Sequence, residues 1–520
     1  MTSATASSPG RRFLPGPRAA LWTGWGFLAL VAAYAAAHMA FRLAASDVVA
    51  VDEVVEAVFA QRFAWVYDPK QPPLYTWLLR LATAVAPLQH AHFLVIKYLC
   101  LAATLLAYKA AADRVLGDAR LAALATLSLL LLYQIGWNLH EGVTHTLTLM
   151  ASCALGLAVI MRLLDAPRTH LYVLLGASFA LGFLSKYGFA TFVACAVAAS
   201  LGQPAGRRWL LDPRIAITVL IAASGAVPYL AWLEQSGTTL AALYAGFAGG
   251  GASGGSVLHR LGQAIAAPLG FLAPALPILL LLFPRAVLPR KSPPTVAPGV
   301  DREKFLRHFL MAALAILLAG ALVGGVSTLK ERWMHPLFLP APLWLWARIA
   351  HMRENLPERR LAAFWAVFIV SLPVVLAFRA SEFALGSAAC SRCRYVVDYR
   401  PLVQHLAASG AAGGLVVARD EHIAGNLRTR LPDADIFLII FPAQRPPARA
   451  YPPDARCALV WNTQRHGSAV PPELAPFAGA SASPPQVATV TSAPRVWFPL
   501  APQPVSTWGV AIADMAACRG

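Results

Sequence analysis

The sequence predicts a mainly α-helical, polytopic transmembrane bundle of about eleven spans, with juxtamembrane helices on its outer face and a small C-terminal α/β domain. Three observations predict it. The 520 residues are 58% hydrophobic and only 13% charged, about half the charge of a soluble globular chain. Eleven apolar stretches approach or reach the roughly 20 residues that cross a bilayer. From about Ser381 the apolar runs shorten to strand length, and Pro, Arg and Asp rise.

The spans fall near residues 21–41, 91–111, 120–136, 143–162, 170–185, 187–201, 215–233, 261–283, 308–326, 336–350 and 361–378. The fifth and sixth are short enough to form one bent hairpin. Pro340 and Pro342 are placed to kink the tenth, because proline removes a helical N–H and crowds the preceding turn. Arg11, Arg12 and Arg18 precede the first span, which is too long for a signal-peptide core and is expected to stay as a helix. Residues 1–20 are expected as a cytoplasmic tail, 21–380 as the membrane domain with a first outer loop at 42–90, and 381–520 as an extracytoplasmic domain.

Charge orients this map. With the N-terminus inside, 21 of the 43 Lys and Arg lie on inner segments, 9 on outer segments and 13 in the tail after residue 378. Every inner segment carries at least two, as the positive-inside rule requires. The net charge of +18 therefore reads as membrane topology, and no nucleic-acid partner is expected. The acids avoid every span core. Eight lie on the outer side of the membrane region: Asp47, Asp52, Glu53, Glu56, Asp68, Glu141, Glu234 and Glu331. An ion-coupled pump places acids at mid-membrane, which disfavours that class.

In the tail, residues 413–419 and 434–441 read as strands flanking a helix at 420–430, with Asp420 as its cap. Segments 458–461 and 508–512 suggest further strands, and the Pro-rich stretches 442–455 and 470–486 read as irregular. Cys390, Cys393, Cys457 and Cys518 all lie in this domain. An oxidising compartment favours disulfides, and four cysteines allow three pairings. The CxxC spacing of Cys390 and Cys393 is also that of zinc and redox sites, and free thiols are the remaining alternative, but no strong second ligand pair follows it. Cys100, Cys153 and Cys195 lie in spans and read as small apolar fillers.

The first outer loop carries the densest signal. Asp52-Glu53 follows the first span and opens a helical-period stretch through Val54, Val55, Val58 and Phe59, read as a helix along the membrane surface. Asp68-Pro-Lys-Gln-Pro-Pro-Leu-Tyr-Thr-Trp then turns sharply into a second apolar helix, with Pro73 tolerated in its first turn. An acidic pair after span one and a Pro-Pro-Leu-Tyr-x-Trp segment about twenty residues on resemble the lipid-carrier-dependent glycosyltransferases of the GT-C class. The pattern is most similar to the bacterial branch of lipid A aminoarabinose transferases, related to protein O-mannosyltransferases. Lys186-Tyr187 between spans five and six, and Lys330-Glu-Arg-Trp-Met-His-Pro opening span ten, fit the same pattern.

The resemblance covers roughly residues 20–350 and implies an enzyme that takes sugar from a polyprenyl-phosphate donor on the outer face of the inner membrane. It implies Asp52 as the catalytic carboxylate, with Glu53 beside it. The leaving group is already a stable anion, so it needs positive charge more than an acid. Lys70, Lys186 and Arg332 are the candidates to hold the phosphate, against interfacial anchoring for Lys70 and Arg332. The bland alternative for Asp52 is a helix cap. Where family members carry a second Asp followed by Pro, this chain reads Trp137-Asn-Leu-His-Glu-Gly-Val-Thr-His-Thr. Glu141 or His145 is the substitute there, as a second carboxylate or a metal ligand, against an interfacial role. His140, Glu141, His145, His259 and His335 share the outer face, which leaves a divalent metal open, though no spacing matches a zinc motif. The run Gly249–Gly255 lacks the Lys and Ser/Thr of a P-loop and reads as an outer loop. The acceptor, whether lipid, glycan or protein, is unspecified. The competing reading is a transporter or flippase of a lipid-linked sugar, which would more naturally show paired internal halves.

Overall fold

The computed structural model describes residues 21–239, 256–287, 302–323, 329–351, 356–390, 393–447, 449–478 and 487–519. The Gly249–Gly255 run lies outside them. Each of the eleven predicted apolar stretches contains helix among the described residues, although the third is interrupted by a 3-10 turn at Ser128–Leu131 and an extended Leu132. The helices are α1 (Gly24–Ala45), α2 (Glu53–Phe59), α3 (Leu74–Ala82), α4 (His90–Leu116), α5 (Ala119–Leu127), α6 (His145–Asp165), α7 (Thr169–Phe183) and α8 (Phe189–Leu201). They continue with α9 (Ile215–Gln235), α10 (Val257–Leu272), α11 (Ala275–Leu282), α12 (Arg302–Leu322), α13 (Ala341–Ala350) and α14 (Glu358–Leu385). Six of the described helices are long and apolar enough to cross a membrane. The chain is a multi-pass membrane protein.

Breaks fall where backbone chemistry demands them. Pro340 caps α13, whose preceding turn at His335–Phe338 is a separate short helix, so the tenth stretch is two pieces. The eighth stretch divides into α10 and α11 around Ala273-Pro274. The fifth and sixth stretches are two distinct helices, joined by the turn that carries Lys186. Buried α6 is the bundle's centre, packed against α4 and α7. Its neighbours supply a continuous core that includes Phe93, Leu105, Phe192, Phe309 and Trp346.

The C-terminal domain is a five-stranded sheet with order β2-β1-β3-β5-β4. Its strands are β1 (Leu415–Ala418), β2 (Asp435–Leu438), β3 (Cys457–Asn462), β4 (Val487–Ser492) and β5 (Ser506–Ala513). The first three are parallel; β5 pairs antiparallel with β3 and β4. Helices α15 (Arg400–Ala408) and α16 (Glu421–Arg428) cover one face. Asp420 precedes α16 as expected, but its side chain makes no cap bond. It instead accepts from the Asn462 amide at 3.1 Å, tying β1's end to β3's end. Disulfides join Cys390 to Cys393 and Cys457 to Cys518.

The loop after α1 does not stop at the bundle. Its Val48 and Val58 are buried in the same cluster as Leu402, Ile423, Leu427 and Val460 of the C-terminal domain. That loop therefore belongs to both cores.

Candidate active site

Asp52 sits at the N-cap of α2, yet its side chain makes no capping bond. The carboxylate is solvent-accessible and still crowded by protein, so burial raises its pKa. Lys186 and His145 oppose the rise, Glu56 adds to it, and Arg332 opposes it from further off. Three segments far apart in sequence thus converge on Asp52. Lys186 answers in kind: burial lowers its pKa, Asp52 raises it and Arg332 lowers it. Two cations acting on one carboxylate is the expected electrostatics of a site that binds an anion beside a base.

Each group is aimed by its own supports. Lys186 Nζ donates to Thr146 Oγ1 at 2.8 Å, one residue beyond His145. His145 Nε2 bonds Glu56 Oε1 at 2.8 Å, and Thr76 Oγ1 donates to the other Glu56 oxygen at 2.5 Å. Thr76 belongs to the Pro-Pro-Leu-Tyr-Thr-Trp motif, so that motif orients the Glu56–His145 pair. The same motif docks on the α7–α8 turn: the Leu74 amide donates to Leu184 O at 3.0 Å, and Tyr187 Oη donates to Pro69 O at 2.6 Å. The segment that looked diagnostic is a brace between α2 and the Lys186 turn. Tyr75 Oη, His145 Nδ1 and His335 Nε2 are buried beside these groups with no hydrogen-bond partner among the described residues.

The other expected residues take different places. Glu53 points away from Asp52 and pairs with Lys97 at 2.9 Å, both side chains at most 2% exposed. Glu141 contributes its backbone carbonyl to Lys97, while its carboxylate lies on the side of Tyr133 and Glu382. His145, not Glu141, is the residue of that segment beside Asp52. His140 is caged elsewhere, between Tyr34 Oη at 2.7 Å and Tyr98 Oη at 3.0 Å, stacked on His38. His259 is exposed at the start of α10. Lys70 is exposed at the tip of the first loop, beside the Pro69 carbonyl that Tyr187 holds. Arg332 is exposed in a short 3-10 turn. Among the described residues, no three His, Cys, Asp or Glu side chains form a group that could hold a metal, and the Glu56 carboxylate is already engaged by His145 and Thr76. Cys390 and Cys393 bond each other, so their spacing serves a disulfide in this structure.

Glu56, Thr76, Thr146 and Glu421 are members that sequence reasoning missed. Glu56 had a signal: it lies four residues after Asp52, on the same helical face. Glu421 had none. It comes from α16 of the C-terminal domain, and its half-buried carboxyl is raised by burial and by Asp52.

The backbone around Asp52 is unusual. Val51 has φ of 56°, a left-handed conformation that costs a β-branched residue roughly 1–3 kcal/mol. The Asp52 amide donates to Gly142 O at 3.1 Å. A Cβ on Gly142 would fall 1.9 Å from Ala50 O, so only glycine allows this approach.

The chain, a helical membrane bundle with a carboxylate and two cations at one end and a small α/β domain packed on its first loop, is similar to membrane glycosyltransferases. Residues 70–232 match the family described as dolichyl-phosphate-mannose-protein mannosyltransferase. The chain is 28% identical to the lipopolysaccharide core galacturonosyltransferase RgtB of Rhizobium johnstonii, over 87% of this chain and 90% of that protein. It is also 28% identical to RgtA of the same organism, over 81% and 83%. Among solved structures, ArnT from Cupriavidus metallidurans bound to undecaprenyl phosphate superposes with a TM-score of 0.57 at 16% identity, covering 94% of this chain and 98% of that one.

Proposed function

We propose that this protein transfers a sugar from a polyprenyl-phosphate donor to an acceptor of the cell envelope, on the outer face of the inner membrane, with inversion at the anomeric carbon. The convergence of Lys186 and Arg332 on the unpaired carboxylate of Asp52 carries this reading. In the reaction, Asp52 takes the proton of the acceptor hydroxyl. The hydroxyl oxygen bonds to the anomeric carbon, and the bond from that carbon to the phosphate oxygen breaks. Lys186 and Arg332 stabilise the phosphate as its charge grows, and Lys70 meets it from the mouth. The Glu56-backed imidazole of His145 orders the acceptor side. Glu53, in this reading, holds α2 to α4 and takes no part in the chemistry.

The donor's lipid has a place to lie. An apolar groove of about 440 Å³ runs between α7, α8 and α9, lined by Phe179, Phe183, Val193, Ala222 and Val227. Phe183 ends α7 three residues before Lys186. The ArnT structure was solved with undecaprenyl phosphate, and the curated relatives act on lipopolysaccharide core. Both favour a lipid-phosphate donor and a glycan or lipid acceptor over a protein one.

The test is transfer in nanodiscs from a panel of polyprenyl-phosphate sugars to extracted envelope lipids. Asp52→Asn lowers kcat at least about 10²-fold with donor binding retained. Donor binding and translocation without transfer, indifferent to the substitution, would make the protein a flippase instead.

A further inference from the structure

Among the contacts between the C-terminal domain and the first loop, one side chain holds the backbone just before Asp52. Asn426, fully buried on α16, bonds both backbone polar groups of Val49. The Val49 amide donates to Asn426 Oδ1 at 3.1 Å, and Asn426 Nδ2 donates to Val49 O at 2.9 Å. Val49 lies three residues before Asp52. The neighbouring Gly425 lets α16 approach this closely, since a Cβ there would fall 2.4 Å from the Val54 backbone. Arg430 fixes the asparagine in turn, donating to its Oδ1 at 3.0 Å and pairing with Asp47 at 3.0 Å.

Between the Asn426 grip on Val49 and the Gly142 grip on Asp52 lies Val51, with its left-handed backbone. A strained residue persists only where its surroundings over-determine it. These two grips supply that constraint, one from the membrane bundle and one from the C-terminal domain.

We propose that Asn426 is a positioning residue for catalysis: by clamping Val49 it fixes the Val51 turn and so aims the Asp52 carboxylate. The C-terminal domain is then an integral part of the active site. This rests on Asp52 being the base. Misplacing a reacting group by about 1 Å costs on the order of 10²-fold in rate, so the clamp acts on kcat and leaves donor binding at Lys186 and Arg332 alone.

The experiment compares Asn426→Leu, close in size but without the two bonds, with Asn426→Asp, which keeps the acceptor oxygen and can pair with Arg430. Full-length protein in nanodiscs is assayed for kcat, donor KM and the pH dependence of transfer. Gln61→Leu is run beside them. Gln61 bonds Ile436 of β2 from just beyond the far end of α2, at 2.9 and 2.8 Å, so it tests domain docking away from Asp52. The expected result is a fall in kcat of at least about tenfold for Asn426→Leu, with donor KM within about twofold and a displaced acid limb. Asn426→Asp recovers most of the rate, and Gln61→Leu stays near wild type. Wild-type kcat in Asn426→Leu overturns the proposal. So does a loss in Gln61→Leu equal to that in Asn426→Leu, tracking loss of thermal stability, which would mean a general docking effect. Asp52→Asn in the same assay separates the two claims: full activity there removes the base assignment itself, whatever Asn426 does.

Discussion

Asp52 is held in a state that is poor for stability and that, in the proposed reaction, suits a base. Burial raises its pKa and the neighbouring cations only partly offset this. A base with a raised pKa loses activity on the acid side earlier than an ordinary aspartate, whose pKa is about 3.9. Stability runs the other way. The folded state holds this proton more tightly than the unfolded state, so stability falls as pH rises from the ordinary aspartate value through the raised one. Asp52→Asn therefore raises the melting temperature near neutral pH while abolishing transfer, and the gain shrinks in mildly acidic buffer. Melting curves of the two proteins at both pH values decide it; an unchanged or lower melting temperature at neutral pH removes the argument. At this scale the sequence was readable for groups that stand out chemically. Asp52, Lys186 and Arg332 are charges beside apolar helices, where charge is rare and draws notice. Asn426 and Glu421 were unreadable, because their importance comes from a domain packing on a distant loop, 377 residues away for the Asn426–Val49 contact.

Helix α2 is only seven residues long, too short to be stable alone, so its position depends on its attachments. On the bundle side, the Glu53–Lys97 pair ties it to α4, and Lys97 also donates to the Glu141 carbonyl. Removing one partner of a buried pair leaves the other charge uncompensated, at a cost of about 3–5 kcal/mol. Lys97→Met is expected to destabilise the protein by that order, and the double variant Lys97→Met with Glu53→Gln to recover much of it. Denaturation of the three variants in detergent measures the coupling; additive losses would show that the pair is not the tether. The elements themselves were largely legible. Hydropathy located the long helices of the bundle because the membrane leaves a helix little alternative, but not the short Pro204–Leu210 helix between the sixth and seventh stretches. The Pro-rich opening of α13 marked the break before it, and β1, α16 and β2 followed from apolar runs with turn residues between. Strand β4 escaped notice. Val487–Ser492 is an edge strand whose residues are mostly exposed or half-buried, so no apolar run marks it. The pairing of Glu53 with Lys97 instead of with the site was equally hidden, since adjacent acids in sequence point to different faces once α2 is placed.

Across the whole molecule, the membrane bundle carries Lys186 and Arg332, and the C-terminal domain packs on the loop that carries Asp52. Val48 and Val58 of the first loop lie in that domain's core, Gln61 joins the edge of its sheet, and Arg62 donates to the carbonyl of Ala443 at 2.9 Å. Losing the domain's fold should then silence the site even while the bundle stays intact. The domain's own stability leans on the Cys457–Cys518 disulfide, which ties β3 to the chain beyond β5 across 61 residues. A loop of that size contributes about 4 kcal/mol in the chain-entropy account. Cys457→Ser with Cys518→Ser is expected to lower the temperature at which the domain melts and becomes protease-sensitive. Transfer activity should fall along that same curve, well before the helical bundle unfolds by circular dichroism. Reductant should move the wild-type protein in the same direction. If transfer instead persists after the domain has become protease-sensitive, the bundle alone seats Asp52, and the grips from Gly142 and Lys97 are sufficient. If activity and domain integrity fall together, the α/β domain is half of the active site's framework, although Asp52, Lys186 and Arg332 all lie outside it.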